Sequence, residues 1–183
     1  MSKLKWEKLS SRYLVKEKWA TLRVDTCRMP DGTLIDDYYV LEYPNWVTGI
    51  AVTEDSEVLL IRRYRHAAEE VILEVPGGCI DPGETPEQAI VREMLEETGY
   101  AFESVEPIST VYANPSTAAN KTFGFLLQGG KKVQEQHLDG REEIEVLKVS
   151  MQEFKELLFQ NKFPQALHVS AIFYALVKLG ELK

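Results

Sequence analysis

Apolar and polar positions alternate over much of the first half of the chain, which predicts strands rather than helices. Ala20–Cys27 alternates around Leu22, Val24 and Thr26. A turn follows at Met29-Pro30-Asp31-Gly32, with Pro and Gly where a tight turn favours them. Asp37–Tyr43 reads as the returning strand of a hairpin. Trp46–Val52 is a largely apolar strand with Gly49 inside it as a possible bulge. Glu57–Tyr64 looks like a buried strand, and Val71–Val75 a shorter one.

The strongest helix signals come next. Thr85 and Gln88 form a capping-box pattern, Pro86 takes the first helical position, and Gly99 sits where a left-handed cap belongs. Further strands are predicted over Val105–Tyr112, Thr122–Gln128 and Ile144–Val149, with a break at Gly129-Gly130. Lys131–Glu143 is polar and reads as a mobile loop. Ser150 and Glu153 repeat the capping-box pattern before Phe154, Leu157 and Leu158. The last helix carries Val169, Ile172, Phe173, Leu176 and Val177 at helical spacing, a stripe expected in the core. Strands outnumber helices, and the principal helix lies between strands. This predicts an α/β (α+β) sandwich of mixed sheets rather than a doubly wound parallel sheet. Residues 1–45 are expected to form a small N-terminal β-hairpin subdomain and residues 46–183 the main domain.

Composition narrows the chemistry. The chain has 183 residues, 44% of them apolar, enough for a core without a metal or disulfide staple. Its net charge of −8 repels nucleic acid and polyphosphate, so a phosphate ligand needs a cation or a local arginine cluster. Cys27 and Cys79 form no CxxC pair and read as reduced thiols. The N-terminal residues contain no apolar stretch resembling a signal peptide, and no segment is long and apolar enough to span a bilayer, so a cytoplasmic address is expected. The three histidines, His66, His137 and His168, lack metal-ligand spacing and are expected at the surface.

The segment Gly78–Tyr100 reads GCIDPGETPEQAIVREMLEETGY. On a helix Glu93, Glu96 and Glu97 share one face. Like charges so placed destabilise a bare helix, whereas a hard divalent cation takes carboxylate oxygens readily. Arg92 can hold a carboxylate in place through its fork of donors, and Glu84 lies in the loop just before the helix. A solvated acidic face is the bland alternative.

The whole arrangement resembles the Nudix box, G-x5-E-x7-R-E-U-x-E-E-x-G-U, where U is bulky and apolar. Gly78, Glu84, Arg92, Glu93, Met94, Glu96, Glu97 and Gly99 fall in register, with Tyr100 at the last apolar position as the one departure. The resemblance implies a Nudix-type α/β/α sandwich and a metal-dependent hydrolase. It implies Glu93 and Glu97 as principal Mg²⁺ ligands, with Mn²⁺ as the alternative ion. Glu96 would assist, the carbonyl of Gly77 would add an oxygen, Glu84 would orient ligands or water, and Arg92 would support the carboxylates.

Residues outside the box point to a subgroup. Ile61-Arg62-Arg63-Tyr64-Arg65 followed by Glu74-Val75-Pro76-Gly77-Gly78 resembles the QYR…E-x-P-x-G pattern of ADP-ribose and ADP-sugar pyrophosphatases, with Arg63 in place of the Gln. Pro115, beyond the box, fits the same subgroup. The resemblance implies a small-molecule nucleotide-sugar substrate, hydrolysis of ADP-ribose to AMP and ribose 5-phosphate, and a homodimer built partly by the N-terminal strands. Arg65 is expected to contact phosphate or to form a salt bridge, and strand alternation makes Arg63, not Arg62, its neighbour on that face. Glu74 belongs to the same candidate substrate site. Trp19 is a candidate adenine platform, with Tyr38 or Tyr39 as a second face, and a core or interface role is the alternative for each. Among Asp139, Glu142 and Glu143, Glu142 is favoured as general base. Competing substrates are a GDP-sugar, another dinucleotide or a nucleoside triphosphate. A non-catalytic ligand-binding Nudix domain is a reading of another class, disfavoured because every box glutamate is present.

Overall fold

The computed structural model describes residues 3–140 and 143–182. They form two compact units, one comprising Met1–Pro44 with Tyr112–Lys121, the other Asn45–Val111 with Thr122–Lys183.

The first unit holds an antiparallel sheet of β1 (Glu7–Glu17), β2 (Ala20–Arg28) and β3 (Leu34–Leu41), in that order. The β2–β3 hairpin closes as expected, with Gly32 N–H donating to the Met29 carbonyl at 2.9 Å. Strand β1 is not apparent in the sequence pattern. Its pairing with β2 skips at Leu9 and again at Leu14, two bulges that break the period of two. All of β1 is exposed, so no buried face writes alternation into it. Inside this unit Asp25 is 4% exposed. It accepts hydrogen bonds from Ser11 Oγ at 2.6 Å and Arg23 Nε at 2.8 Å. Burial pushes its carboxyl up, but these donors outweigh it and its pKa lies below the ordinary value.

The second unit is a seven-stranded mixed sheet. Its main order is β10 (Ile144–Ser150), β5 (Glu57–Arg65), β4 (Trp46–Thr53), β9 (Lys121–Lys132), β7 (Tyr100–Ala101). β6 (Glu70–Glu74) pairs with β5 and β8 (Ser104–Tyr112) with β9. The β4–β9 pairing is parallel and β4–β5 antiparallel. Alternation along β4 and β5 sends Val47, Ala51 and Leu59 to one face, where Ile90 and Met94 of α1 (Pro86–Thr98) pack. Ile50, Val58 and Leu60 go to the other, against Phe154 of α2 (Met151–Phe159) and Ile172 and Leu176 of α3 (Ala166–Lys178). This is the α/β/α arrangement expected.

Four expectations are corrected. Gly49 is in regular register with Phe125, not at a bulge, and a Cβ there would lie 2.3 Å from Met94 Cε. Gly129-Gly130 does not break the strand. The β4–β9 register shifts between Ala51 and Thr53, with Thr53 then opposite Gly130, so the glycines form the bulge and β9 continues to Lys132. In α3 the buried residues are His168, Ala171, Ile172, Ala175 and Leu176, whereas Phe173 and Val177 are exposed. His168, expected at the surface, is therefore buried. The stripe was displaced because two alanines and a histidine, which carry no strong apolar signal, occupy inward positions.

Candidate active site

Helix α1 is built by local signals and carries the carboxylates. Thr85 Oγ1 accepts from Gln88 N–H while the Gln88 side chain accepts from Thr85 N–H, and Pro86 opens the helix. Gly99 closes it at φ +76°, its N–H donating to the Leu95 carbonyl. The polar segment after β9 is tied to this end. Val133 N–H donates to the Gly99 carbonyl, His137 N–H to that of Glu96, and Gln136 Nε2 to that of Glu97.

Before the helix, residues 76–80 run along β4. Gly49 N–H donates to the Pro76 carbonyl, Val47 N–H to that of Gly78, and Ile80 N–H to that of Asn45. Gly77 has φ +152°, and a Cβ on it would lie 2.3 Å from the Val47 carbonyl oxygen. A Cβ on Gly78 would lie 2.4 Å from Glu93 Cδ. The absence of both side chains lets the loop press against β4 and leaves a cradle for the Glu93 carboxylate.

Arg92 is the hub of the cluster. Nε and Nη2 grip Glu84 at 2.8 and 3.0 Å, Nη1 reaches Glu93 at 2.9 Å and Glu96 at 3.1 Å, and Nη2 also donates to the Cys79 carbonyl at 2.9 Å. These contacts use all five guanidinium protons. The sequence suggested one carboxylate for Arg92; the structure gives it three. Hydrogen bonding to Glu84 is the main reason its pKa is raised, and the same bond lowers that of Glu84.

Glu97 is 1% exposed. Its two oxygens accept from Arg63 Nη1 at 2.7 Å and from Gly77 N–H at 2.9 Å. Glu74, equally buried, takes Arg65 through two bonds of 2.9 and 2.7 Å. A carboxylate removed from water needs such partners. Arg63 and Arg65 thus share a face of β5, while Arg62 meets Glu145 at 3.3 Å in solvent. A groove of about 630 Å³ along α1, lined by Thr85, Gln88, Val91, Arg92, Leu95 and Glu96 among others, keeps this edge of the cluster open to solvent.

The sequence matches the NUDIX domain over residues 44–170, which spans the cluster and most of the chain. The chain belongs to the Nudix family. Residues 6–41 match the nucleoside diphosphate sugar hydrolase N-terminal domain. An ADP-ribose pyrophosphatase of Bacillus subtilis (strain 168) is 27% identical over 179 residues, 97% of this chain and 96% of that protein. A methanol dehydrogenase activator of Bacillus methanolicus is 27% identical over 172 residues, 93% of this chain and 90% of that protein. A crystal structure of an ADP compounds hydrolase superposes with a TM-score of 0.85 over all of both chains at 23% identity, which supports the same fold.

Nudix hydrolases are in general dependent on a divalent metal. The residues here fit one: the α1 cluster offers carboxylate oxygens, hard donors without sulfur or nitrogen ligands, and the Gly78 cradle holds one of them against the backbone. Among the described residues, no three His, Cys, Asp or Glu side chains yet converge as a finished metal centre would have them. Guanidinium groups hold the carboxylates instead.

The remaining Nudix candidates are distributed as follows. Glu142 lies outside the described residues. Trp19 is in the first unit at the β1–β2 turn, 61% exposed, with Lys18 Nζ 4.7 Å from its ring centroid. Pro115 is also in that unit, in a turn where Thr117 and Ala118 N–H groups donate to the Asn114 carbonyl. Tyr38 donates to the Ser116 carbonyl at 2.9 Å and meets Trp6 edge to face, whereas Tyr39 is exposed. The Cys79 carbonyl and the Gln136 amide, both supports of the cluster, carry no sequence signal, because their partners come from distant positions.

Proposed function

We propose that this Nudix hydrolase cleaves the pyrophosphate bond of a nucleoside diphosphate sugar, with ADP-ribose as the preferred substrate and AMP and ribose 5-phosphate as products. The observation that carries the reading is the carboxylate cluster of α1 with its arginine supports, joined to a relative named ADP-ribose pyrophosphatase that aligns over 97% of this chain. Glu93 and Glu97 would be the principal ligands of Mg²⁺, with Mn²⁺ as a substitute, Glu96 assisting and the Gly77 carbonyl adding an oxygen. When bound, the cation supplies neutralisation of the diphosphate and stabilises charge on the leaving oxygen. Arg92 keeps Glu84, Glu93 and Glu96 oriented. Arg65, held by Glu74, presents a guanidinium suited to a phosphate oxygen. Trp19 offers a face for adenine, and Pro115 belongs to the same substrate region. Glu142 takes the proton of the attacking water while the phosphorus–oxygen bond to the other phosphate breaks.

The reading includes a homodimer, supported by the large apolar residues left exposed on and beside β1, and a cytoplasmic address, which suits two free thiols. Among the described residues no helix is long and apolar enough to cross a membrane. The test is a panel of ADP-ribose, GDP-sugars, dinucleotides and nucleoside triphosphates with Mg²⁺, scored for nucleoside monophosphate and sugar phosphate. AMP from ADP-ribose at the highest kcat/KM is the expected result. Faster turnover of a triphosphate or a GDP-sugar would overturn the substrate assignment.

A further inference from the structure

Arg63 stands where the sequence pattern that β5 resembles carries Gln. It is also the residue that reaches Glu97. We infer that Arg63 is a built-in cation that weakens divalent-ion loading at Glu97 until a diphosphate arrives. The inference rests on the reading of Glu97 as a metal ligand.

The contact is short and sheltered. Arg63 Nη1 lies 2.7 Å from Glu97 Oε1, with side chains 16% and 2% exposed. The other Glu97 oxygen already accepts the Gly77 N–H at 2.9 Å. A glutamine in this position could donate a hydrogen bond to the same oxygen. The difference is a full positive charge, and a guanidinium does not lose it. Salt screens such a sheltered charge poorly. A divalent ion approaching Glu97 therefore meets a cation at hydrogen-bond distance from its ligand, and must share the carboxylate or displace it.

Among the described residues Glu84, Glu93, Glu96 and Glu97 face the guanidiniums of Arg92 and Arg63, so the cluster still draws a divalent ion while Arg63 cancels part of that attraction at Glu97. A diphosphate adds negative charge to this region and gives Arg63 a further acceptor. As Arg63 turns to it, Glu97 is released to the metal, so substrate binding and tight ion loading reinforce each other. Arg63 is in this sense a positioning residue that acts through Glu97.

Titration calorimetry with Mn²⁺ alone, on the full chain without nucleotide, tests the idea. Arg63→Gln is expected to bind Mn²⁺ at least about tenfold tighter than wild type, the size of effect that a removed unit charge a few ångströms away gives even in a water-like dielectric. Arg63→Lys, which keeps the charge, is expected to stay close to wild type. Arg63→Met supplies a second neutral side chain should the glutamine variant fold poorly. Wild-type or weaker affinity in the neutral variants would overturn the role of Arg63 while leaving the function standing. If neither wild type nor variants take up Mn²⁺, the inference falls together with the metal reading.

Discussion

Glu97 and His168 are both buried ionisable residues, and their surroundings differ. Glu97 accepts hydrogen bonds from Arg63 and from the Gly77 N–H. Glu97→Gln removes the charge that faces the Arg63 guanidinium, of which only 16% is exposed. Turnover of ADP-ribose is expected to fall by at least about three orders of magnitude, roughly 4 kcal/mol in the barrier, while circular dichroism still reports a folded chain with a lower melting temperature. Wild-type turnover would remove Glu97 from the metal set. His168 is kept neutral. Burial lowers its pKa to about 4, opposed by the charge of Glu74 and assisted by those of Arg65 and Arg63, and Nδ1 has no hydrogen-bond partner among the described residues. The unfolded chain binds that proton near pH 6.5 and the folded chain only near pH 4. Stability is therefore unaffected by this group above pH 6.5 and is lost as pH falls through the window to about 4, on the order of 3 kcal/mol in all. In urea titrations, His168→Leu should lose less stability than wild type between pH 7 and pH 4.5. Equal losses would show that the histidine takes up its proton in the fold as readily as in the unfolded chain.

At the scale of elements, legibility follows the range of the forces involved. Helix α1 is readable because its signals are local: a capping box at Thr85 and Gln88, Pro86, and Gly99 in the left-handed region. Thr85→Ala should cost about 1 kcal/mol, seen as a lower melting temperature with kcat changed less than threefold, because the cap lies at the helix end remote from Glu97. A loss of activity without a loss of stability would mean that Thr85 serves the site directly. Strand β1 was not readable, since bulges at Leu9 and Leu14 destroy its alternation and no face is buried. The glycines at 129 and 130 carry the signal of a break but serve as a bulge, because β7 pairs with Lys131 and Lys132 beyond them. The candidate site divides in the same manner. Its glutamates stand in the sequence at helical spacing. Their partners do not, because Arg63 and Gly77 come from β5 and the loop before α1, and only the folded sheet brings them to Glu97.

The whole molecule presents an edge that a monomer leaves open. Strand β1 is the outer strand of its three-stranded sheet, eleven residues long and exposed throughout. Trp6, Leu9, Tyr13, Leu14 and Val15 on and beside it are each 38–46% exposed. A long apolar edge strand invites pairing with any other edge, and soluble proteins normally blunt or cover it. A second copy of the chain is the cover proposed here. Sedimentation equilibrium at micromolar concentration should give twice the chain mass. Because each chain carries a net charge of −8, added salt should tighten the association by screening repulsion between copies, the opposite of what a salt-bridged interface would show. Leu9→Glu combined with Leu14→Glu should shift the protein to monomer, with little effect on monomer stability because neither side chain belongs to a buried cluster. A wild type that sediments as a monomer in both low and high salt would leave the β1 edge bare and remove the dimer from the proposal.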